Sequence, residues 1–356
     1  MTQRFVLGVS AAFAALAAHS AAAQTTVKVG WCAKTVTSAA APYAVATKFG
    51  WYAADKIKVE LSPLPGSTDC VKLVATGDIP YSVPSVEPLA ILAPQGIKMK
   101  VFYTAYQGNI YGIDVPAESP VKTFKDLKGK KIGVASMASG GVIIARAIAA
   151  TNGMNPDSDV NIVVSGEGAQ AAALVRSKQV DALSLYDTQY ALVENAGMKL
   201  RPLADANKEI SRYPSNGFAA LDSTLKNKRE QSVAVARGYA RGTVWTMANP
   251  EAAIRILYEV FPQTKSLGKD DATAMKEDLK TLAARAENWK LEKADVKRWG
   301  ESNEANYAAY VDFMLKWGII KEKVAASDLI TNDLIDDINK FDAVQTIADA
   351  KAYKAR

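Results

Sequence analysis

Two rhythms of hydrophobic and polar positions alternate along this chain. Short apolar runs are followed by stretches in which apolar residues return every three or four positions. That alternation is the mark of strands followed by amphipathic helices. The clearest block is 121–187. A charged turn at 122–131 closes at Gly129, and an apolar run follows at 132–136. Small residues fill 137–141, helical spacing runs from 142 to 151, and Asn152 with Gly153 ends it. Strands expected at 160–165 and 182–186 flank a further helix at 169–177. A βαβαβ order predicts a mainly parallel sheet with helices on both faces. Ligands of such sheets lie at the carboxyl ends of the strands. Here those ends are 136–140, 165–168, and Tyr186 with Asp187.

The same rhythm precedes this block. Strands are predicted at 26–31, 56–61, 81–83 and 98–106, with helices at 42–49, 70–76 and 86–93. Ser67 or Thr68 is the expected N-cap of the second helix, and Gly77 its C-cap. The runs LVATGDI at 73–79 and LVRSKQV at 174–180 echo one another as helix end and strand start. A strand at 110–115 enters a second unit, 199–203 ends it, and 216–221 returns to the first. The expected plan is a leader at 1–23, the first part of lobe 1 at 24–108, and lobe 2 at 109–212. Residues 213–356 then return to lobe 1 and add C-terminal helices. Hinges are expected at 105–111 and 211–217, where Gly108 and Gly217 tolerate dihedral change. Beyond 226 the pattern turns helical. Asn249 and Pro250 open a helix over 251–260, and Met275, Leu279, Leu282 and Ala286 form one apolar stripe. Tyr307, Tyr310, Met314 and Trp317 form another, read as core.

Three runs carry a family resemblance: FKDLKGKKIGV at 124–134, LVRSKQVDA at 174–182, and TNDLIDDINKF at 331–341. Together they resemble ABC-transporter substrate-binding proteins, in the branch that binds nitrate, sulfonates, taurine and thiamine-pyrimidine precursors. The resemblance implies a two-lobed α/β periplasmic binding protein of type II, each lobe a mainly parallel sheet flanked by helices. It also implies capture of a small solute in the inter-lobe cleft and delivery to an ABC permease, with no bond broken. The related pyrimidine-precursor synthases consume a histidine of their own. In this chain the one histidine, His19, lies within the leader.

The leader itself reads as an export signal. Arg4 supplies the positive end, 5–18 the apolar core, and Ala21 to Ala23 the small-residue cleavage site. A periplasmic location follows. The formal net charge is +6, but the lysines are scattered among acids, which argues against nucleic acid as a partner. The rest of the chain is too long for one ordinary core and suits two lobes in a monomer. Without histidine, Ser-His-Asp and Cys-His hydrolysis and histidine-ligated zinc are excluded. Neither a metal nor a cofactor is expected. Cys32 and Cys70 each follow a strand of the first lobe. In an oxidising compartment they are expected to pair, the alternative being two buried thiols.

Helix starts that follow strands offer free N–H donors to an anion. Ser67 with Thr68, Ser85, Ser139 with Gly140, and the Gly168 turn are four such starts. If they converge, they hold a sulfonate, carboxylate or nitrate without any arginine. Trp31, Tyr106 and Tyr186 are placed to stack on a flat ligand, and Lys34 and Thr35 lie beside them. Glu87 is a further cleft candidate, and Glu167 and Asp187 are placed to meet an amine or ring N–H, or to cap helices and bridge lobes. The expected ligand is therefore a small anionic or zwitterionic organic solute, the alternative being a heterocycle. Two other readings stay open. The Gly166–Gly168 turn matches the spacing G-x-G-x-x-A, with Asp187 at the end of the next strand, as in NAD-linked oxidoreductases. A ligand sensor that docks on a receptor would share every feature of the transport reading.

Overall fold

A computed structural model describes residues 24–354 except 267; the expected leader at 1–23 lies outside the described residues. Strands β1 (Thr25–Trp31), β2 (Ile57–Pro63), β3 (Tyr81–Ser82) and β4 (Met99–Thr104) alternate with three helices. These are α1 (Ala41–Lys48), α2 (Ser67–Thr76) and α3 (Val86–Leu92). The second set is β5 (Asp114–Pro116), β6 (Lys131–Val134), α4 (Gly140–Thr151) and β7 (Asn161–Val164). It continues through α5 (Gly168–Arg176), β8 (Ala182–Ser184), α6 (Asp187–Asn195) and β9 (Leu200–Pro202). Strand β10 (Gly217–Leu221) follows, and then the principal C-terminal helices. These are α7 (Arg229–Ala248), α8 (Pro250–Val260), α9 (Asp271–Trp289), α10 (Glu304–Lys316) and α11 (Ala343–Ala352).

The strands form two five-stranded sheets, β2-β1-β3-β10-β4 and β7-β6-β8-β5-β9. Both sheets are mixed. In each, three strands pair in parallel, and a fourth enters antiparallel to its two neighbours. In the first sheet the reversed strand is β10, which arrives from the second sheet. In the second it is β5, which arrives from the first. The reason is geometric. A chain crossing between sheets enters at the end where the parallel strands finish, so it must run back against them. The buried run Ile132 to Val134 in β6 has the doubly covered character of a central parallel strand.

The crossings are bonded to each other. Ala105 and Tyr106 N–H both donate to the Asn216 carbonyl at 3.0 Å, and Ser215 N–H to the Tyr106 carbonyl at 3.1 Å. The C-terminal helices mostly cover the first sheet: α7 and α8 pack on α1, and α11 on α7. Helix α9 differs. It packs on α8 and the turn at Ser38–Ala40, and also on α6 of the second sheet. Two caps diverge from expectation. Helix α2 begins one residue after Gly66, so Ser67 lies inside it and does not cap it. Asn249 caps α8 as its sequence suggests, accepting from Ala252 N–H at 3.2 Å.

Cys32 and Cys70 are joined in a disulfide across a sequence separation of 38. The bond ties the loop after β1 to α2. On the chain-entropy model such a loop closure stabilises by ~4 kcal/mol. Replacing both cysteines by alanine is expected to lower the unfolding free energy by about that amount, read from urea denaturation; equal midpoints and slopes for both proteins would contradict it.

Candidate functional site

The carboxyl ends of both sets of parallel strands meet at one seam. Four polar contacts across it are made by backbone or by loop side chains. Ser136 Oγ donates to the Pro65 carbonyl at 2.7 Å, and Thr68 N–H to the Ala138 carbonyl at 3.1 Å. Lys34 and Thr35 N–H donate to the Glu167 carboxylate at 3.2 and 3.1 Å. Gly66 and Gly140 let the two sides approach. A Cβ at Gly66 would overlap the Ala138 carbonyl, and one at Gly140 would lie 2.8 Å from both Ser85 Oγ and the Tyr111 hydroxyl.

Within the seam is a crevice walled by Trp31, Thr35, Tyr106, Tyr111, Tyr186 and Arg285. Its volume is about 30 Å³, room for roughly two waters. A benzene-sized guest needs a cavity of about 150 Å³, so a ring enters only when the two sides stand further apart than here. Tyr111 and Tyr186 meet edge to face, centroids 5.8 Å apart. Burial raises the hydroxyl pKa of Tyr106, Tyr111 and Tyr186, so all three are neutral at physiological pH.

The charged feature of the crevice is Arg285, from the last turns of α9. Its Nε and Nη2 donate to the two oxygens of Asp187 at 2.8 and 2.6 Å. Asn288 Nδ2 adds a third bond to that carboxylate at 3.0 Å. The side chains are 4% and 9% exposed. The guanidinium also lies over the Tyr106 ring, 3.9 Å from its centroid. The Asp187 charge holds the Arg285 pKa above its ordinary value despite burial.

The sequence-derived candidates divide into groups. Trp31, Thr35, Tyr106 and Tyr186 line the crevice. Ser67, Ser85 and Gly140 meet on the far side of Tyr111, where Ser67 Oγ accepts from Ser85 N–H at 3.0 Å. Ser85 Oγ is buried beside the Tyr111 hydroxyl and the Glu87 carboxyl, without a hydrogen bond of good geometry among the described residues. Ser139 caps α4 through Gly141 N–H at 3.2 Å, and Thr68 contributes its backbone to the seam. Glu167 fastens the 34–35 loop, where the Lys34 side chain is exposed. Asp187 is spent on Arg285. Glu87 is buried away from the crevice, bonded to the Tyr310 hydroxyl. The fourth helix start is turned inward, since Gly168 N–H donates to Gln189 Oε1 at 2.9 Å. Three starts converge, and an arginine stands where none was expected.

Arg285, Tyr111, Thr188 and Asn216 were missed. Arg285 sits 98 residues from Asp187, beside the apolar stripe of its helix. No local spacing marks it. Tyr111 and Asn216, which fall within the strands expected at 110–115 and 216–221, lie instead in the irregular crossings just before β5 and β10.

A family model described as NMT1/THI5 like matches residues 37–253. A curated relative is the riboflavin-binding protein RibY of Chloroflexus aurantiacus. It is 22% identical over 298 residues, 83% of this chain and 82% of that protein. Among solved structures, the periplasmic aliphatic sulphonate binding protein SsuA from Escherichia coli is similar at 16% identity and TM-score 0.62. That match covers 86% of this chain and 92% of that one. The periplasmic nitrate-binding protein NrtA from Synechocystis PCC 6803 is similar at 16% identity and TM-score 0.62, over 93% and 99% of the two chains. These likenesses show the fold.

Two outcomes follow from the geometry. Asp187→Ala leaves a buried guanidinium unpaired and is expected to cost about 3–5 kcal/mol of stability, measured by urea denaturation. Burial raises the pKa of Glu87, so its carboxyl stays protonated in the folded protein at pH values where the unfolded chain has released the proton. Stability is then lost as pH rises from the ordinary carboxyl range through the folded value. Glu87→Gln is expected to flatten that decline above pH 4.5; an unchanged slope would refute the assignment.

Proposed function

The chain belongs to the NMT1/THI5-like family, and on that premise we propose that it is a periplasmic solute-binding protein serving an ABC permease. One observation carries the reading. Two sheets, linked by two bonded crossings, bring the ends of their parallel strands to a shared seam that closes on an aromatic crevice. Opening at the crossings 105–111 and 211–217 admits the solute, and closure buries it. The solute favours the closed form only by its differential affinity for that form. The protein acts as a monomer, exported to the periplasm by the leader at 1–23.

The first ligand class is a small anionic or zwitterionic organic solute, sulfonate, taurine or nitrate among them. Its head would meet the converging starts of α2, α3 and α4, where Ser85 Oγ is buried beside the Tyr111 hydroxyl without a hydrogen bond of good geometry among the described residues. The second is a flat heterocycle. The four aromatic side chains of the crevice, Trp31, Tyr106, Tyr111 and Tyr186, favour it, as does the likeness to a riboflavin-binding protein. An NAD-linked enzyme is disfavoured on chemistry. The Gly168 N–H that would cradle a pyrophosphate is bonded to Gln189, and Asp187, the acid that would hold a ribose, is bonded to Arg285.

Calorimetric titration with ethanesulfonate, taurine, nitrate, benzoate, an aminopyrimidine and riboflavin is expected to find at least one tight ligand. Gly140→Val is expected to hold the two sides apart, weaken that ligand at least tenfold and enlarge the radius of gyration in solution scattering. Turnover with NADH, or wild-type affinity in Gly140→Val, would count against the reading.

A further inference from the structure

Arg285 spends only part of its hydrogen-bonding capacity on the protein. A guanidinium carries five N–H donors in a planar fork. Asp187 occupies the side formed by Nε and Nη2. Tyr106 covers one face. The Tyr106 hydroxyl lies close to the guanidinium, but no acceptor among the described residues meets the remaining edge, Nη1 with the second N–H of Nη2, in good hydrogen-bond geometry, and Arg285 is part of the crevice wall. Its partners hold it in place: Asn288 fixes Asp187 at 3.0 Å, and Tyr106 is anchored in the crossing. The fork is therefore preorganised, and so loses little freedom when it takes a further acceptor.

We propose that Arg285 is the specificity-determining residue of this site, reading two adjacent coplanar acceptors on a flat aromatic ligand. A ring-bound carboxylate, or a ring nitrogen beside a carbonyl, presents that pair. This deepens, and rests on, the solute-binding reading above. The charge balance supports it. Asp187 already neutralises the guanidinium, so the site offers a bare anion little net charge. What it offers is direction: two parallel donors in one plane, continuous with the aromatic walls. A flat ligand stacks on Tyr106, Tyr111 or Tyr186 while its edge meets the fork. An aliphatic sulfonate has no flat body to stack and no planar acceptor pair to match.

The test is calorimetric titration of the wild-type protein with riboflavin, cytosine, benzoate and ethanesulfonate, repeated on Arg285→Lys. Lysine keeps the charge opposite Asp187 but loses the fork. Tighter binding of a ring probe than of ethanesulfonate, weakened roughly 10- to 100-fold by Arg285→Lys, supports the assignment. Riboflavin or cytosine responding points to the ring nitrogen with its carbonyl, and benzoate responding to the carboxylate. Equal affinity of wild type and Arg285→Lys for the ring probe overturns it. So does ethanesulfonate outbinding every ring probe, which would leave the solute-binding reading standing. If no solute binds and scattering shows no closure, both readings fail. Should Arg285→Lys not fold, the double variant Asp187→Leu with Arg285→Met replaces it, since removing a buried pair together leaves no uncompensated charge. Unchanged ring binding in that variant also overturns the assignment.

Discussion

A buried guanidinium cannot stay unpaired, and much of this structure is arranged around that constraint. Arg285 lies in the last turns of α9, and its partner Asp187 opens α6, 98 residues earlier. Pairing them fixes α9 against the second sheet. The next residues secure the same turn elsewhere. Gln107 N–H in the first crossing donates to the Asn288 carbonyl at 2.8 Å, and Trp289 Nε1 reaches the Tyr239 hydroxyl of α7 at 3.1 Å. One helical turn thus touches the second sheet, the first crossing and the C-terminal helices. Tyr106, carried by that crossing, comes to rest beneath the guanidinium. Removing either charge alone is costly because the other would remain buried. The position of the crevice is a consequence of this pairing.

Much of the fold was legible because apolar periodicity reports burial. Strand β6 reads as a short apolar run because it is covered on both faces, and α4 follows a flexible, small-residue turn. What periodicity does not carry is direction. The run Gly217 to Leu221 is apolar in either orientation, so the reversed strands β10 and β5, and with them the mixed sheets, were not foreseen. Within the site, Trp31 and Tyr186 could be placed because they end strands. Tyr111 and Asn216 could not, since both fall in stretches read as the beginnings of strands that are in fact irregular crossings. Arg285 was invisible for a different reason. A helical arginine normally faces water, and only tertiary structure brings Asp187 to it.

The cap at α2 shows the same limit at smaller scale. Serine or threonine at a helix start usually caps it. Here the chain uses Gly66, because any side chain at that position would collide with the Ala138 carbonyl across the seam. Ser67 is displaced into the first turn, where its hydroxyl accepts from Ser85 N–H and joins the starts of α2 and α3. A close approach between lobes has overridden a local preference.

The seam is also balanced energetically. Its contacts are backbone or loop hydrogen bonds, each worth a net of about 1 kcal/mol because water replaces it when the sides part. Thr68, Lys34 and Thr35 N–H would all be rehydrated on opening. The aromatic walls, in contrast, lose their shielding from water, but only over a small area. On the proposed solute-binding reading, parting these contacts costs a few hydrogen bonds, an amount that a solute's differential affinity can offset. Among the described residues, the deeply buried Arg285–Asp187 pair joins α9 to α6 beside the crevice, whereas the four contacts of the seam are made by groups that water can satisfy.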